Sequence, residues 1–222
     1  MYYGQDNDFF DRYREYVIQY VKDNNIDIKG KDHWQCGIFS GNTFVHIYRL
    51  FQKHNVLPDR IFALDSFKGL PKEIEGIDRN PVWNENEFSS QYLFGTTNNN
   101  EIIEAIMHRI ENKNIPVEFI EGFYSDSLNQ DFIRNKNPKP IWWLDLDIDL
   151  CRSTLDVLDF VYANNLLVPG SIISYDDWDT INPYNGGECL AHNQMTEKYK
   201  VTYDHIKIAH DTGIFIVKSI GV

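Results

Sequence analysis

Residues 139–150 read Lys139-Pro140-Ile141-Trp142-Trp143-Leu144-Asp145-Leu146-Asp147-Ile148-Asp149-Leu150. The apolar part, bounded by proline, reads as a buried strand over Lys139 to Leu146. Three carboxylates then follow at alternate positions. In a strand that continued, all three would face one side. Like charges gathered this way cost stability unless protons or a cation neutralise them.

A second segment has the same form. Ser171 to Tyr175 is an apolar strand, introduced by Pro169-Gly170 and ending in Asp176-Asp177-Trp178-Asp179. Further out, His33 to Phe39, Arg60 to Asp65 and Pro116 to Ile120 also read as strands. Helical spacing marks 6–24, Asn42 to Asn55, Glu101 to Asn112, Ser153 to Asn164 and Glu188 to Tyr199. Strands alternating with helices predict a parallel sheet with crossover helices on both faces, a doubly wound, Rossmann-like α/β fold. Val201 to Ala209 and Gly213 to Val217 read as a closing antiparallel hairpin, which makes the sheet mixed. The first helix needs no role beyond packing on the sheet, and Trp142 and Trp143 read as core or near-core. His192 reads as an ordinary surface or core histidine.

The 222 residues carry a formal charge of −12 and are 42% hydrophobic, as expected of one globular domain over 1–222. So acidic a surface repels phosphate backbones, which argues against nucleic acid as substrate. Three widely spaced cysteines, Cys36, Cys151 and Cys189, give no zinc signature and favour a reducing compartment. With neither a signal peptide nor an apolar run of about 20 residues, the expectation is a cytoplasmic protein without membrane contact. Self-association is compatible with this reading but not specified by it. One long segment, about 66–100, interrupts the alternation. It is polar, rich in Asn, Glu, Pro and Gly, and interleaved with aromatics, which predicts a folded lid.

Two further motifs sit at strand ends, where open α/β sheets bind ligands. Cys36 to Asn42 combines glycines, which let a backbone approach a ligand, with a helix N-terminus that offers free N–H donors. Asp65 closes the second strand, a position suited to accepting hydrogen bonds from ribose hydroxyls. If the acidic tips at 147–149 and 176–177 lie on neighbouring strands, they place hard oxygen ligands together, a set suited to Mg²⁺, Ca²⁺ or Mn²⁺.

Five segments in order resemble the macrocin O-methyltransferase family, which modifies sugar hydroxyls of natural products using S-adenosylmethionine. They are Gln35 to Gly41, Asp65 to Pro71 (Asp-Ser-Phe-Lys-Gly-Leu-Pro), Glu121 to Leu128, Asp147 to Thr154, and Pro169 to Ser171 followed by Asp176-Asp177. Gln35 stands where the family has an acid, and Cys151 where it has tyrosine. The segment from Asn185 to His192 matches only loosely. The resemblance implies that Gly37, Phe39, Ser40 and Gly41 contact the methionine part of the cofactor. Asp65 would hold its ribose, with Ser66 and Phe67 near the adenosine and Gly122 and Phe123 against the adenine. Asp147, Asp176 and Asp177 would bind a divalent metal, Mg²⁺ first, and Asp149 would be the general base. Asp145 is the alternative ligand to Asp147 if the register slips by two. The implied acceptor is a sugar or glycosylated small molecule. The rival readings are a catechol-like or other small metabolite as acceptor, and a non-catalytic nucleoside-binding module.

Overall fold

The structure is a computed structural model that describes residues 10–72, 83–178, 186–209 and 212–221. Its elements in chain order are α1 (Phe10–Asp23), β1 (Asp32–Cys36), α2 (Asn42–His54), β2 (Arg60–Asp65), α3 (Ser90–Phe94), α4 (Asn99–His108), β3 (Val117–Glu121), α5 (Tyr124–Ser127), α6 (Gln130–Lys136), β4 (Ile141–Leu146), α7 (Cys151–Ala163), β5 (Leu167–Tyr175), α8 (Gly187–Tyr199), β6 (Thr202–Ala209) and β7 (Thr212–Ser219). Positions 6–9 of the expected first helix, Asp179 and the hairpin tip at His210-Asp211 lie outside the described residues.

The seven strands form one sheet in the order β3-β2-β1-β4-β5-β7-β6. The first five are parallel, and β7 enters antiparallel between β5 and β6. This is the mixed, doubly wound sheet expected. Strand order reverses between β1 and β4, whose carboxyl ends therefore flank the crevice where ligands enter such sheets.

The helices cover both faces. On one face α1, α2 and α4 pack Val17, Ile18, Phe44, Phe51 and Ile106 against Ile61, Ala63, Trp143 and Ile172. On the other, α6, α7 and α8 pack Phe132, Val157, Leu158 and Met195 against Trp34, Phe62, Leu144 and Ile173. Trp142 and Trp143 are both buried, as expected of core residues.

Three local findings depart from the expected elements. Strand β1 stops at Cys36, because Gly37 and Phe39 both adopt left-handed backbone. Strand β5 begins at Leu167, before the Pro-Gly, because the ladder skips from Ile141↔Leu167 to Trp143↔Ile172. The skip leaves Pro169 outside the pairing, where its missing N–H costs nothing. Ser171 Oγ bridges the gap, donating to Ile141 O and accepting from Val168 N. The short helices α3, α5 and α6 have too few turns to show a helical period in sequence.

Candidate active site

The turn after β1 is built around glycine. Gly37 has φ +87°, and a Cβ there would lie 1.8 Å from the backbone oxygen of Asp147. Glycine therefore lets the tips of β1 and β4 lie side by side. Gly41 caps α2 at φ +76° and packs on Ile106, where a Cβ would come within 2.6 Å of its side chain.

Asp65 ends β2 and is nearly buried. One carboxylate oxygen accepts from the amides of Ile38 (2.7 Å) and Phe39 (2.9 Å), and the other accepts from Phe67 N (2.6 Å). The side chain thus clasps the turn after β1 to the turn after β2. Burial raises its pKa, and the three amides pull it back. Phe39, Phe67 and Asp149 all have positive φ without being glycine, and all three lie at this edge of the sheet.

These tips surround a cavity of about 540 Å³. Gly37, Phe39, Ser40, Asp65, Ser66, Gly122 and Phe123 line one part, and Asp147, Asp149, Asp176 and Asp177 line another. Two residues expected at the cofactor, Gly41 and Phe67, do not line it. Gly41 is turned onto α4, and Phe67 is fully buried against Phe119.

The segment at 66–100 is partly helical and pinned down. Leu70 N bonds to Glu87 O and Asn86 N to Leu70 O, while Ser90 Oγ donates to Phe39 O. Trp83 and Phe88 stack edge-to-face with each other, and Phe88 with Phe39, at the cavity rim. Positions 73–82 of the expected lid lie outside the described residues.

The acidic tips meet as their spacing implied. One carboxylate oxygen from each of Asp147, Asp176 and Asp177 lies within 4.8 Å of the others. Strand β4 ends at Leu146, so the three aspartates at 145, 147 and 149 do not share one side. Asp145 is fully buried and accepts from Arg14 Nε (3.1 Å), Ser174 Oγ (2.5 Å) and Tyr13 Oη (3.3 Å). It is no part of the cavity wall.

Arg14 is the residue the sequence did not reveal. It projects from α1, is 1% exposed, and also reaches Asp147 Oδ2 (3.2 Å) and Asp176 Oδ1 (3.3 Å). The expectation that α1 merely packs on the sheet is corrected: it delivers a cation beneath the acidic tips. Gln35, where the family has an acid, is registered beside Asp145 and fully buried, and neither of its amide atoms has a partner among the described residues.

Burial, and the repulsion that remains, hold Asp147, Asp149 and Asp176 above the ordinary carboxylate range. Burial, then Asp176, push Asp147 well above the usual carboxylate range. Burial, then Asp177, do the same to Asp149, which shares a hydrogen bond with Asp177. Burial raises Asp176 to about 6 against the opposing pull of Arg14. Such a site takes up either protons or a cation.

A parallel α/β sheet closed by an antiparallel strand, with a glycine turn, an acid after β2 and a cavity at the switch point, is the architecture of S-adenosylmethionine-dependent methyltransferases. The model of the macrocin-O-methyltransferase (TylF) family matches residues 11–216, and the chain belongs to that family. It is accordingly an O-methyltransferase that uses S-adenosylmethionine. No curated protein matches it significantly by sequence. Among solved structures it is similar to the O-methyltransferase NovP (18% identity, TM-score 0.66), with 94% of this chain and 79% of that one covered. It is equally similar to the calicheamicin methyltransferase CalS11 (18% identity, TM-score 0.66; 92% and 79% covered). An apo structure of CalS11, described as a TDP-rhamnose 3'-O-methyltransferase, gives 17% identity and TM-score 0.57, with the same coverage. Among the described residues, no helix is long and apolar enough to cross a membrane.

Proposed function

We propose that the chain methylates a hydroxyl of a sugar or sugar-bearing small molecule, with a divalent cation, Mg²⁺ first, held by Asp147, Asp176 and Asp177. The observation that carries this reading is the convergence of those three oxygens within 4.8 Å on the wall of the cavity that the glycine turn and Asp65 also line. The residues fit a hard cation: all three donors are carboxylate oxygens, and the one described cation among them, Arg14, is shared between Asp145, Asp147 and Asp176. The cation would fix the acceptor's direction and make its hydroxyl more acidic.

The protein's own groups do the rest. The turn at Gly37, Phe39 and Ser40 holds the methionine end of the cofactor, and Asp65 keeps that turn in place while facing the ribose. Ser66, Gly122 and Phe123 border the nucleoside. Asp149, seated where burial raises its basicity, takes the acceptor's hydroxyl proton as the new O–C bond forms. The S–C bond of the sulfonium breaks with its electrons passing to sulfur. Positioning and electrostatics supply the remaining catalysis. The TDP-rhamnose 3'-O-methyltransferase activity of CalS11 supports a sugar acceptor, as does the family.

The test is methyl transfer from labelled S-adenosylmethionine to nucleotide-linked deoxysugars, glycosides and catechols, before and after chelation. Transfer to sugars that stops with chelator and returns with Mg²⁺ is expected. Transfer to catechols alone would overturn the acceptor, and full activity after chelation would overturn the metal.

A further inference from the structure

We propose that Glu188 is a positioning residue that sets the spacing of the two acidic tips; the inference rests on the metal reading above. Glu188 is the second residue of α8 and has no solvent exposure. Its Oε1 accepts from Ile148 N at 3.2 Å, and its Oε2 accepts from Asp177 N at 3.2 Å. Ile148 lies between Asp147 and Asp149, so one carboxylate holds the backbone on which Asp147, Asp149 and Asp177 stand.

Arg14 joins the two tips through the side chains of Asp147 and Asp176, whereas Glu188 joins them at the backbone. The β4–β5 ladder ends at Leu146↔Tyr175, and the last bond between the tips runs from Asp176 N to Leu146 O. Beyond it the two tips share no backbone bond, and Glu188 closes the gap. No described cation pairs with Glu188, so it is buried at a cost that the two amide bonds must offset. Burial, and Asp177 after it, raise its pKa. A carboxylate offers one acceptor oxygen to each of the two amides.

Glu188→Gln keeps the shape but turns an NH₂ toward one of the amides. Glu188→Asp keeps the charge but is one methylene too short to reach both. The measurements are Mn²⁺ binding without acceptor, followed by electron paramagnetic resonance, calorimetric affinity for S-adenosylhomocysteine, and kcat against metal concentration. Mn²⁺ affinity should fall roughly 10- to 100-fold in both variants, as for groups that orient metal ligands. S-adenosylhomocysteine affinity and the KM for S-adenosylmethionine should stay unchanged, and raised Mn²⁺ should restore kcat. If both variants bind Mn²⁺ as the wild type does, Glu188 does not position the site. Loss of S-adenosylhomocysteine binding in both would show a general structural role and overturn the inference equally. If the wild type itself binds no Mn²⁺, the metal reading falls, and this inference with it.

Discussion

Arg14 and Asp145 are 131 residues apart in sequence and meet at 3.1 Å in the interior, the guanidinium of the first helix against a carboxylate of the fourth strand. Arg14 is 1% exposed and Asp145 fully buried. Removing one partner of such a pair leaves an uncompensated buried charge. Arg14→Met is therefore expected to destabilise the protein by about 3–5 kcal/mol. Adding Asp145→Asn should recover part of that loss. Urea denaturation of the two single variants and the double variant checks this; strictly additive losses would show that the two side chains do not interact.

The clasp made by Asp65 predicts a coupled loss. Asp65→Asn places an NH₂ against amides that now donate to a carboxylate. Charge-assisted hydrogen bonds of this kind contribute about 1.5–3 kcal/mol. Affinity for S-adenosylhomocysteine should fall roughly 10- to 100-fold. Calorimetry showing unchanged affinity would remove Asp65 from the cofactor site.

Cation binding should depend on pH in a definite direction. Asp176 sits at about 6, and burial and like charge hold Asp147 and Asp149 well above the ordinary carboxylate value. As pH falls through this range, protons occupy the oxygens a cation needs. Mg²⁺ should bind more tightly at pH 7.5 than at pH 5.5 and should release protons on binding. Titration calorimetry in two buffers of different ionisation enthalpy measures both; pH-independent binding without proton release would contradict the assignment.

His192 is buried among Tyr175, Trp178, Tyr203 and Phe215, with its Nδ1 2.8 Å from Tyr175 Oη. Burial depresses its pKa to about 3, so the native state resists a proton that the unfolded chain accepts near 6.5. The stability this neutral ring contributes is complete above about pH 6.5 and is lost as pH falls toward 3. At pH 5 the loss is about 2 kcal/mol. The raised carboxylates act in the opposite sense, so the comparison must be with His192→Phe. The stability difference between wild type and this variant should shift against the wild type by that amount between pH 7.5 and pH 5.

The segment around α3 is proposed as a lid because Phe88, backed by Trp83, and Ser90 bind it to Phe39, a residue proposed to lie at the cofactor. Amides at 83–94 should exchange more slowly with S-adenosylhomocysteine bound, as the covered site excludes water. Equal exchange in both states would make the segment a fixed wall.

The sequence by itself determined the alternation of strands and helices, the mixed sheet and the strand ends that bear chemistry. Such features are local: apolar runs bounded by Pro or Gly, and motifs such as Asp65 to Pro71, report on a few successive residues. The meeting of Asp147 with Asp176 and Asp177 was legible because neighbouring parallel strands end at one edge. Tertiary structure alone decided what lies beneath that edge. Whether a helical arginine meets solvent or a buried aspartate is not written in its own periodicity, and Arg14 shows this. Asp145, Asp147 and Asp149 alternate in sequence, yet the strand stops at Leu146 and Asp149 turns to φ +59°, so Asp145 goes to the core and the other two to the cavity. The place of β7 between β5 and β6, the turning of Phe67 into the core and the reach of Glu188 to both tips were likewise settled by packing. Each depends on distances between segments far apart in the chain, which no local pattern records.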